Sequence, residues 1–261
     1  MKVRIHRGTH EIGGTCIEVE AQGKRIVLDM GLPLDIDYEQ AEIPAVSGFD
    51  VVDETLLGVL ISHPHQDHYG LMHKVKAGVR FFIGPAARRI IEAASPFTRR
   101  ELFDFGSTTP LVDRTPIRLG PFTITPFLMD HSAYDAYAFL IEADGQLLFY
   151  SGDFRAHGRK GSLFNRLVAG PPRGIDVLLM EGTCVGRPEE GALTEEALVP
   201  RMVSAFQKTA GMALVWCSGQ NIDRLVTVFK AAKKAQRTLI IDGYTARILM
   251  ATENTKLMQP D

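Results

Sequence analysis

The sequence predicts a mixed α/β fold in which two β-rich blocks with attached helices pack as two sheets face to face, helices outside, followed by a shorter α/β segment. Three observations carry this reading. Short strands joined by glycine-bearing turns fill the first stretch, a second meander returns between residues 117 and 151, and after residue 176 apolar runs of strand length alternate with helical periods. With 261 residues, 45% hydrophobic and 23% charged, the chain suffices for one large domain or two ordinary ones, which excludes disordered and collagen-like classes.

Residues 2–5 alternate, residues 16–20 alternate after Gly13-Gly14, and residues 25–28 run apolar into Asp29, with Gly23-Lys24 read as the intervening hairpin turn. Residues 31–54 carry prolines and acids without a period and read as a long loop, a lid or part of a cleft wall. Residues 55–61 are apolar nearly throughout, as in a strand buried on both faces. A short helix near 71–76, a strand at 79–83 and a helix at 85–94 opened by Pro85 follow. Strands then read at 122–128, 136–142 and 147–150, the last two joined by Asp144-Gly145, a strong hairpin signal. Beyond a buried strand at 176–180, the spacing gives a helix at 194–208, with Thr194 at its start and Glu195 and Glu196 in its first turn. A strand at 213–216, a helix at 221–235, a strand at 238–241 and a helix at 244–251 complete a parallel βα alternation. The expected domains are therefore 1–186 and 187–261.

No apolar run approaches the roughly 18 to 20 residues of a membrane span, and residues 1–7 lead into strand alternation instead of a signal-peptide core, so a cytoplasmic protein without a membrane partner is expected. Cys16, Cys184 and Cys217 are odd in number and lack a CxxC pair, which indicates small core residues and neither a disulfide framework nor a zinc knuckle. A net charge of -2 argues against coating nucleic acid by charge alone and leaves a local groove open. Eight histidines are present, none beyond His157.

The most informative stretch is His63-Pro64-His65-Gln66-Asp67-His68, directly after the buried strand. Three imidazoles and a carboxylate in six residues offer the nitrogen and oxygen donors of zinc or a similar divalent ion. Four neighbouring ligands strain a single tetrahedral site, so a split, His63 and His65 to one ion and Asp67 and His68 to another, points to a dinuclear centre. Asp130-His131 and Gly152-Asp153 end later strands and add candidate ligands.

These residues resemble the metallo-β-lactamase superfamily, whose pattern is a strand-end Asp, HxHxDH after a buried strand, then a His and an Asp at later strand ends; Asp29, the 63–68 cluster, His131 and Asp153 match in turn. The resemblance covers residues 1 to about 180 and implies an αββα sandwich. It further implies that His63, His65 and His131 hold one ion, that Asp67 and His68 hold the second, that Asp153 bridges them, and that Asp29 orients the cluster without ligating. Two divalent ions, zinc with manganese as the alternative, then activate a shared water, and the reaction class is hydrolysis, with Asp67 and Asp153 in the catalytic set.

Met180-Glu181-Gly182-Thr183 is similar to the first motif of the β-CASP nuclease subgroup, and residues 217–224 and 239–244 are similar to the opening of its inserted α/β domain; ribonuclease J and mRNA 3′-end-processing nucleases belong there. That implies RNA or another single-stranded nucleic acid as substrate, with Glu181 catalytic. Independently, no acid lies between Asp153 and Asp176, while Arg155, His157, Arg159 and Lys160 follow the bridging carboxylate and could lead phosphates to it. Ser218 and Asn221 could offer polar groups to a second phosphate, or simply cap a helix. Two alternatives stay open: hydrolysis of a small thioester, lactone or β-lactam, and a non-catalytic nucleic-acid-binding protein with a weakened metal site. The superfamily's last histidine ligand and the β-CASP histidine have no counterpart after His157. A domain incomplete at its C-terminal end, with a second ion partly bound, is therefore expected; a natural short form with a weakened second site, or a chain turned to binding or regulation, would also lack those histidines. Homodimerisation is left open.

Overall fold

The computed structural model describes residues 1–76, 78–98, 108–187 and 191–259. β1 (Lys2–Arg7), β2 (Cys16–Ala21) and β3 (Lys24–Leu28) form an antiparallel meander. The β2–β3 turn is Gln22–Gly23, with φ of 50° and 70°. It lies one residue before the expected Gly23-Lys24 because Lys24 is already paired with Ala21. Both central residues are left-handed, a backbone that matches the twist of the flanking strands. β4 (Leu56–Leu60) lies parallel to β3, followed by β5 (Phe81–Ile83) and β6 (Thr108–Pro110), in the order β1-β2-β3-β4-β5-β6. Between β4 and β5 the expected helix near 71–76 is replaced by α1 (Gln66–Tyr69), which starts inside the histidine cluster, and a 3-10 turn at Met72–Lys74.

The second sheet contains β7 (Ile117–Leu119), β8 (Phe122–Met129), β9 (Ala136–Ala143), β10 (Gln146–Tyr150) and β11 (Val177–Leu179), in the order β11-β10-β9-β8-β7. Only the β10–β11 pairing is parallel. The β9–β10 turn is Asp144–Gly145, with φ of 54° and 69°.

Strand alternation sends one face of each sheet inward. Val19, Ile26, Leu28 and Leu60 meet Phe122, Ile124, Phe139 and Ile141 in one buried cluster between the sheets. The outer face of the first sheet, with Val27, Val59 and Ile61, is covered by Ala87 and Ile91 of α2 (Pro85–Ala94) and by Ala41, Val46 and Phe49. Residues 41–49 form no helix or strand, as the long-loop reading expects; they pack on the sheet as a cover, and Ala41, Glu42 and Ile43 also line a cleft. The outer face of the second sheet packs Phe127, Met129 and Phe149 against Leu167 of α3 (Gly161–Ala169), a helix that contributes only partly buried residues. The layering is helix, sheet, sheet, helix.

α4 (Glu195–Lys208), α5 (Ile222–Lys234) and α6 (Gly243–Ala251) follow. α4 and α5 share a core of Val199, Phe206, Val228 and Ala231. Ile90 and Ala94, on the far side of α2, pack with Ile222, Leu225, Ile248 and Leu249, so α2 is covered on both sides. The expected strands at 213–216 and 238–241 do not form. Leu214, Val215, Leu239 and Ile241 instead line a groove of about 440 Å³ over Leu225 and Ala232. A strand is defined by its partners, and among the described residues neither segment has a ladder neighbour. Of the cysteines, Cys16 is buried, whereas Cys184 is exposed and Cys217 only partly covered. Among the described residues no helix is long and apolar enough to cross a membrane.

Phe139 is fully buried between the sheets. Phe139→Ala should destabilise the fold by about 3–5 kcal/mol, read as a lowered urea midpoint at an unchanged slope.

Candidate metal centre

The centre is assembled at strand ends. β4 is buried along its second half and delivers Ser62 and His63 at its C-terminal end, His63 with no exposed surface. The chain then turns through His65, extended at φ -90° and ψ 144°, into α1, which carries Asp67 and His68. Gly31 permits the close approach of this turn: a Cβ there would lie 1.7 Å from the Asp67 carbonyl oxygen. From the second sheet, the end of β8 supplies His131 and the loop after β10 supplies Asp153.

Beneath the cluster lies Asp29, which follows β3 in the left-handed region at φ 59° and is completely buried. Asp is among the residues that tolerate this backbone. Its Oδ1 accepts the Ser62 backbone N–H at 2.7 Å, and its Oδ2 accepts the Ser62 hydroxyl at 2.8 Å, His68 Nδ1–H at 2.8 Å and the Tyr150 hydroxyl at 2.6 Å. A buried carboxylate persists only when hydrogen-bonded in this way. Asp29 thereby fixes the His68 tautomer, protonated at Nδ1 with Nε2 turned to the cluster. Since the Ser62 proton goes to Asp29, His63 Nδ1–H donates to Ser62 Oγ at 3.0 Å. His63 Nε2 is then a buried lone pair without a hydrogen-bond partner.

Around that nitrogen the other donors converge. Ligand atoms of His63, His65 and His131 lie within 4.8 Å of one another, as do those of His63, Asp67 and His68. His131 Nε2 is 3.3 Å from His65 Nδ1. Asp153 stands between the two groups, Oδ1 3.4 Å from His68 Nε2 and Oδ2 3.9 Å from His131 Nε2, while Asp67 Oδ2 is 3.6 Å from His68 Nε2. Nitrogen and carboxylate oxygen gathered in two groups that share His63, including its orphaned buried nitrogen, fit divalent ions of the zinc type.

The electrostatics agree with ligation. Burial, reinforced by neighbouring imidazoles, pushes His63 well below the usual histidine range; burial also lowers His65 and takes His131 down to about 3, so all three present neutral nitrogens. Burial opposes a charged His68 as well, but Asp29 and Asp153 outweigh it and hold His68 well above its ordinary value. Burial would raise Asp153, yet the hydrogen bond and charge of His68 keep it below the ordinary carboxylate value.

Glu181, just past β11, accepts the Phe154 backbone N–H at 2.7 Å through Oε1, and its own N–H donates to Ser151 Oγ at 3.1 Å. It therefore braces the Asp153 loop, and burial, with nearby Asp153, raises its carboxyl. A cavity of about 270 Å³ lined by Arg7, Thr15, Gly152, Asp153 and Glu181 opens alongside.

The cations of the basic stretch have partners within the chain. Arg155 is ion-paired to Asp223. Arg159 donates to Glu196 at 2.8 Å and to Thr227 at 2.7 Å, and Lys160 Nζ is bonded to the Ala133 carbonyl at 3.1 Å beside the Tyr134 ring. His157 is half-buried and its carbonyl accepts the Glu195 N–H. Ser218 closes a turn on the Gln220 N–H, and Asn221 caps α5 on the Arg224 N–H. Asp223 and Glu196, which take up Arg155 and Arg159, lie 68 and 37 residues away in sequence, so the acid-free interval after Asp153 carried no sign of them.

Two residues of the centre escaped sequence reasoning. Ser62 was legible only by adjacency to the cluster, and Tyr150 only as the residue three before Asp153. Tyr150→Phe removes one of the donors to buried Asp29 and should cost about 1.5–3 kcal/mol of stability, measured by denaturant unfolding of the metal-free protein.

The family model for the Beta-lactamase superfamily domain matches residues 40–228. Ribonuclease J of Helicobacter pylori (strain ATCC 700392 / 26695) is 24% identical over 252 residues, covering 93% of this chain and 36% of that protein. Ribonuclease J of Synechocystis sp. (strain ATCC 27184 / PCC 6803 / Kazusa) is 25% identical over 259 residues, covering 93% and 39%. Endoribonuclease ysh1 of Aspergillus fumigatus is 26% identical over 263 residues, covering 91% and 28%, so the chain spans well under half the length of these relatives. A crystal structure of a protein of unknown function from Enterococcus faecalis V583 superposes with a TM-score of 0.79 at 22% identity, covering 98% of this chain and 68% of that one. With the family match extending from the cover segment through the histidine cluster into α5, the chain belongs to the Beta-lactamase superfamily domain family.

Proposed function

We propose that this chain forms the metal-binding part of a phosphodiesterase that cleaves RNA. The observation that carries the metal reading is the buried, partnerless Nε2 of His63, with His65 and His131 on one side and Asp67 and His68 on the other. His63, His65 and His131 would hold one divalent ion and Asp67 and His68 a second, with Asp153 between them; zinc suits this donor set. Such ions supply a water of lowered pKa and neutralise charge building on a phosphate. Asp29 keeps His68 oriented, and Asp153 is held anionic by His68. Glu181, its carboxyl raised by burial and held beside Asp153 by the Phe154 N–H, is the group we assign to the leaving oxygen. The RNA substrate is supported by the ribonuclease J and endoribonuclease ysh1 relatives, of which this chain matches 28% to 39%.

Metal content and cleavage of a 5′-labelled single-stranded RNA, with and without chelator, test this. Bound zinc and chelator-sensitive cleavage, both diminished in Asp153→Asn, are expected. A chain that binds no metal and cuts no RNA, or that hydrolyses a thioester or lactone and leaves RNA intact, contradicts it. His68 has a further consequence. Because its pKa is raised, a proton must leave before its Nε2 can ligate, so zinc affinity should climb with pH and level off above the His68 pKa. Below that point binding should release a proton, seen as a dependence of the calorimetric heat on buffer ionisation enthalpy.

A further inference from the structure

The loop after β10 is clamped from two sides. On the sheet side, fully buried Asp130, the residue before His131, accepts the Gly158 N–H at 2.8 Å through Oδ2, and its carbonyl accepts the Arg155 N–H at 2.7 Å. On the helical side, Asp223 in the first turn of α5 pairs with the Arg155 guanidinium and accepts the Arg159 N–H at 2.9 Å. Glu195, at the start of α4, receives Arg224 through both oxygens and the Thr227 hydroxyl at 2.6 Å, and its N–H donates to the His157 carbonyl. Gly158 sits where these groups meet. A Cβ there would lie 2.2 Å from Asp130 Oδ1, 2.6 Å from Arg155 Nε and 2.7 Å from Asp223 Oδ2, so only glycine fits.

The clamp is not symmetric. Arg155 Nε and Asp130 Oδ1 face each other at 3.6 Å, both buried and both without a hydrogen-bond partner. The guanidinium is drawn toward Asp223 and stops short of Asp130. Removing the pull of Asp223 would let Arg155 close onto Asp130, because the two unsatisfied buried atoms are only 3.6 Å apart. Arg155 is two residues from Asp153 and Asp130 is one from His131, so that closure would draw together the two segments that carry those ligands.

We infer that Asp223 is a positioning residue for the metal centre: through Arg155 it sets the spacing between the His131 and Asp153 segments, so that the seating of α5 on the loop tunes the cluster. The inference rests on the metal reading proposed above. It assigns the basic loop a mechanical task, which accounts for why its cations are paired inward.

The test compares the unaltered chain with Asp223→Asn, Arg155→Lys and, as a control on the exposed side of the same network, Lys230→Gln. Each is titrated with zinc against a competing chelator and loaded with cobalt(II) to record the visible ligand-field spectrum. Asp223→Asn should shift the cobalt bands and weaken zinc binding by about tenfold, the scale of losses from groups just behind metal ligands, while far-UV dichroism is retained and Lys230→Gln is unchanged. If Asp223→Asn does not fold, Arg155→Lys, which keeps the charge but loses the guanidinium fork, is read the same way. A folded variant with unaltered cobalt spectrum and zinc affinity overturns the inference and leaves the metal reading standing. Failure of the unaltered chain to bind either ion overturns both.

Discussion

The structure depends on burying one carboxylate. Removing a carboxylate from water costs several kcal/mol unless hydrogen bonds replace its hydration. Asp29 receives four such bonds, from Ser62 after β4, from His68 in α1 and from Tyr150 at the end of β10. These donors belong to both sheets, so satisfying the carboxylate fixes the strand ends of one sheet against those of the other. The left-handed backbone of Asp29 and the missing side chain of Gly31 are local requirements of that arrangement. Fold and site are therefore one constraint: the bonds that make burial tolerable are the bonds that set the His63 and His68 tautomers.

Burial then divides the imidazoles. Desolvation drives His63, His65 and His131 neutral, outweighing the pull of Asp67 and Asp153 on His65 and of Asp153 on His131, whereas His68 lies between Asp29 and Asp153 and retains its proton. Three neutral nitrogens and one histidine that keeps its proton therefore stand within one cluster. Further out, a second buried carboxylate, Asp130, repeats the device at lower satisfaction, one oxygen bonded to Gly158 and the other left opposite Arg155. The unmet half of that pairing is where the helices after residue 194 engage the loop.

How much of this was legible in the sequence follows the range of each interaction. The sandwich was readable because its strands alternate and its hairpins carry left-handed turn residues, as at Asp144–Gly145. The cluster at 63–68 was readable because its chemistry is contiguous, and His131 and Asp153 because each closes a strand. What failed depended on partners far along the chain. Residues 213–216 and 238–241 have the composition of strands and line a groove, since composition does not supply a ladder neighbour. The partners of Arg155, Arg159 and Lys160, namely Asp223, Glu196 and the Ala133 carbonyl, were not readable because they are remote in sequence. α3 lies in the stretch after Asp153 that was read for its cations alone.

If the donors gathered around His63 and His68 hold two divalent ions, anomalous diffraction at the zinc absorption edge from crystals of the zinc-loaded protein will show both. Two peaks about 3.5–4 Å apart are expected, the usual spacing of paired catalytic ions, one beside His63, His65 and His131 and the other beside Asp67 and His68, with Asp153 touching both. Loaded crystals with no peak at the cluster, or with one peak ligated by His63, His131 and His68 together, would contradict it.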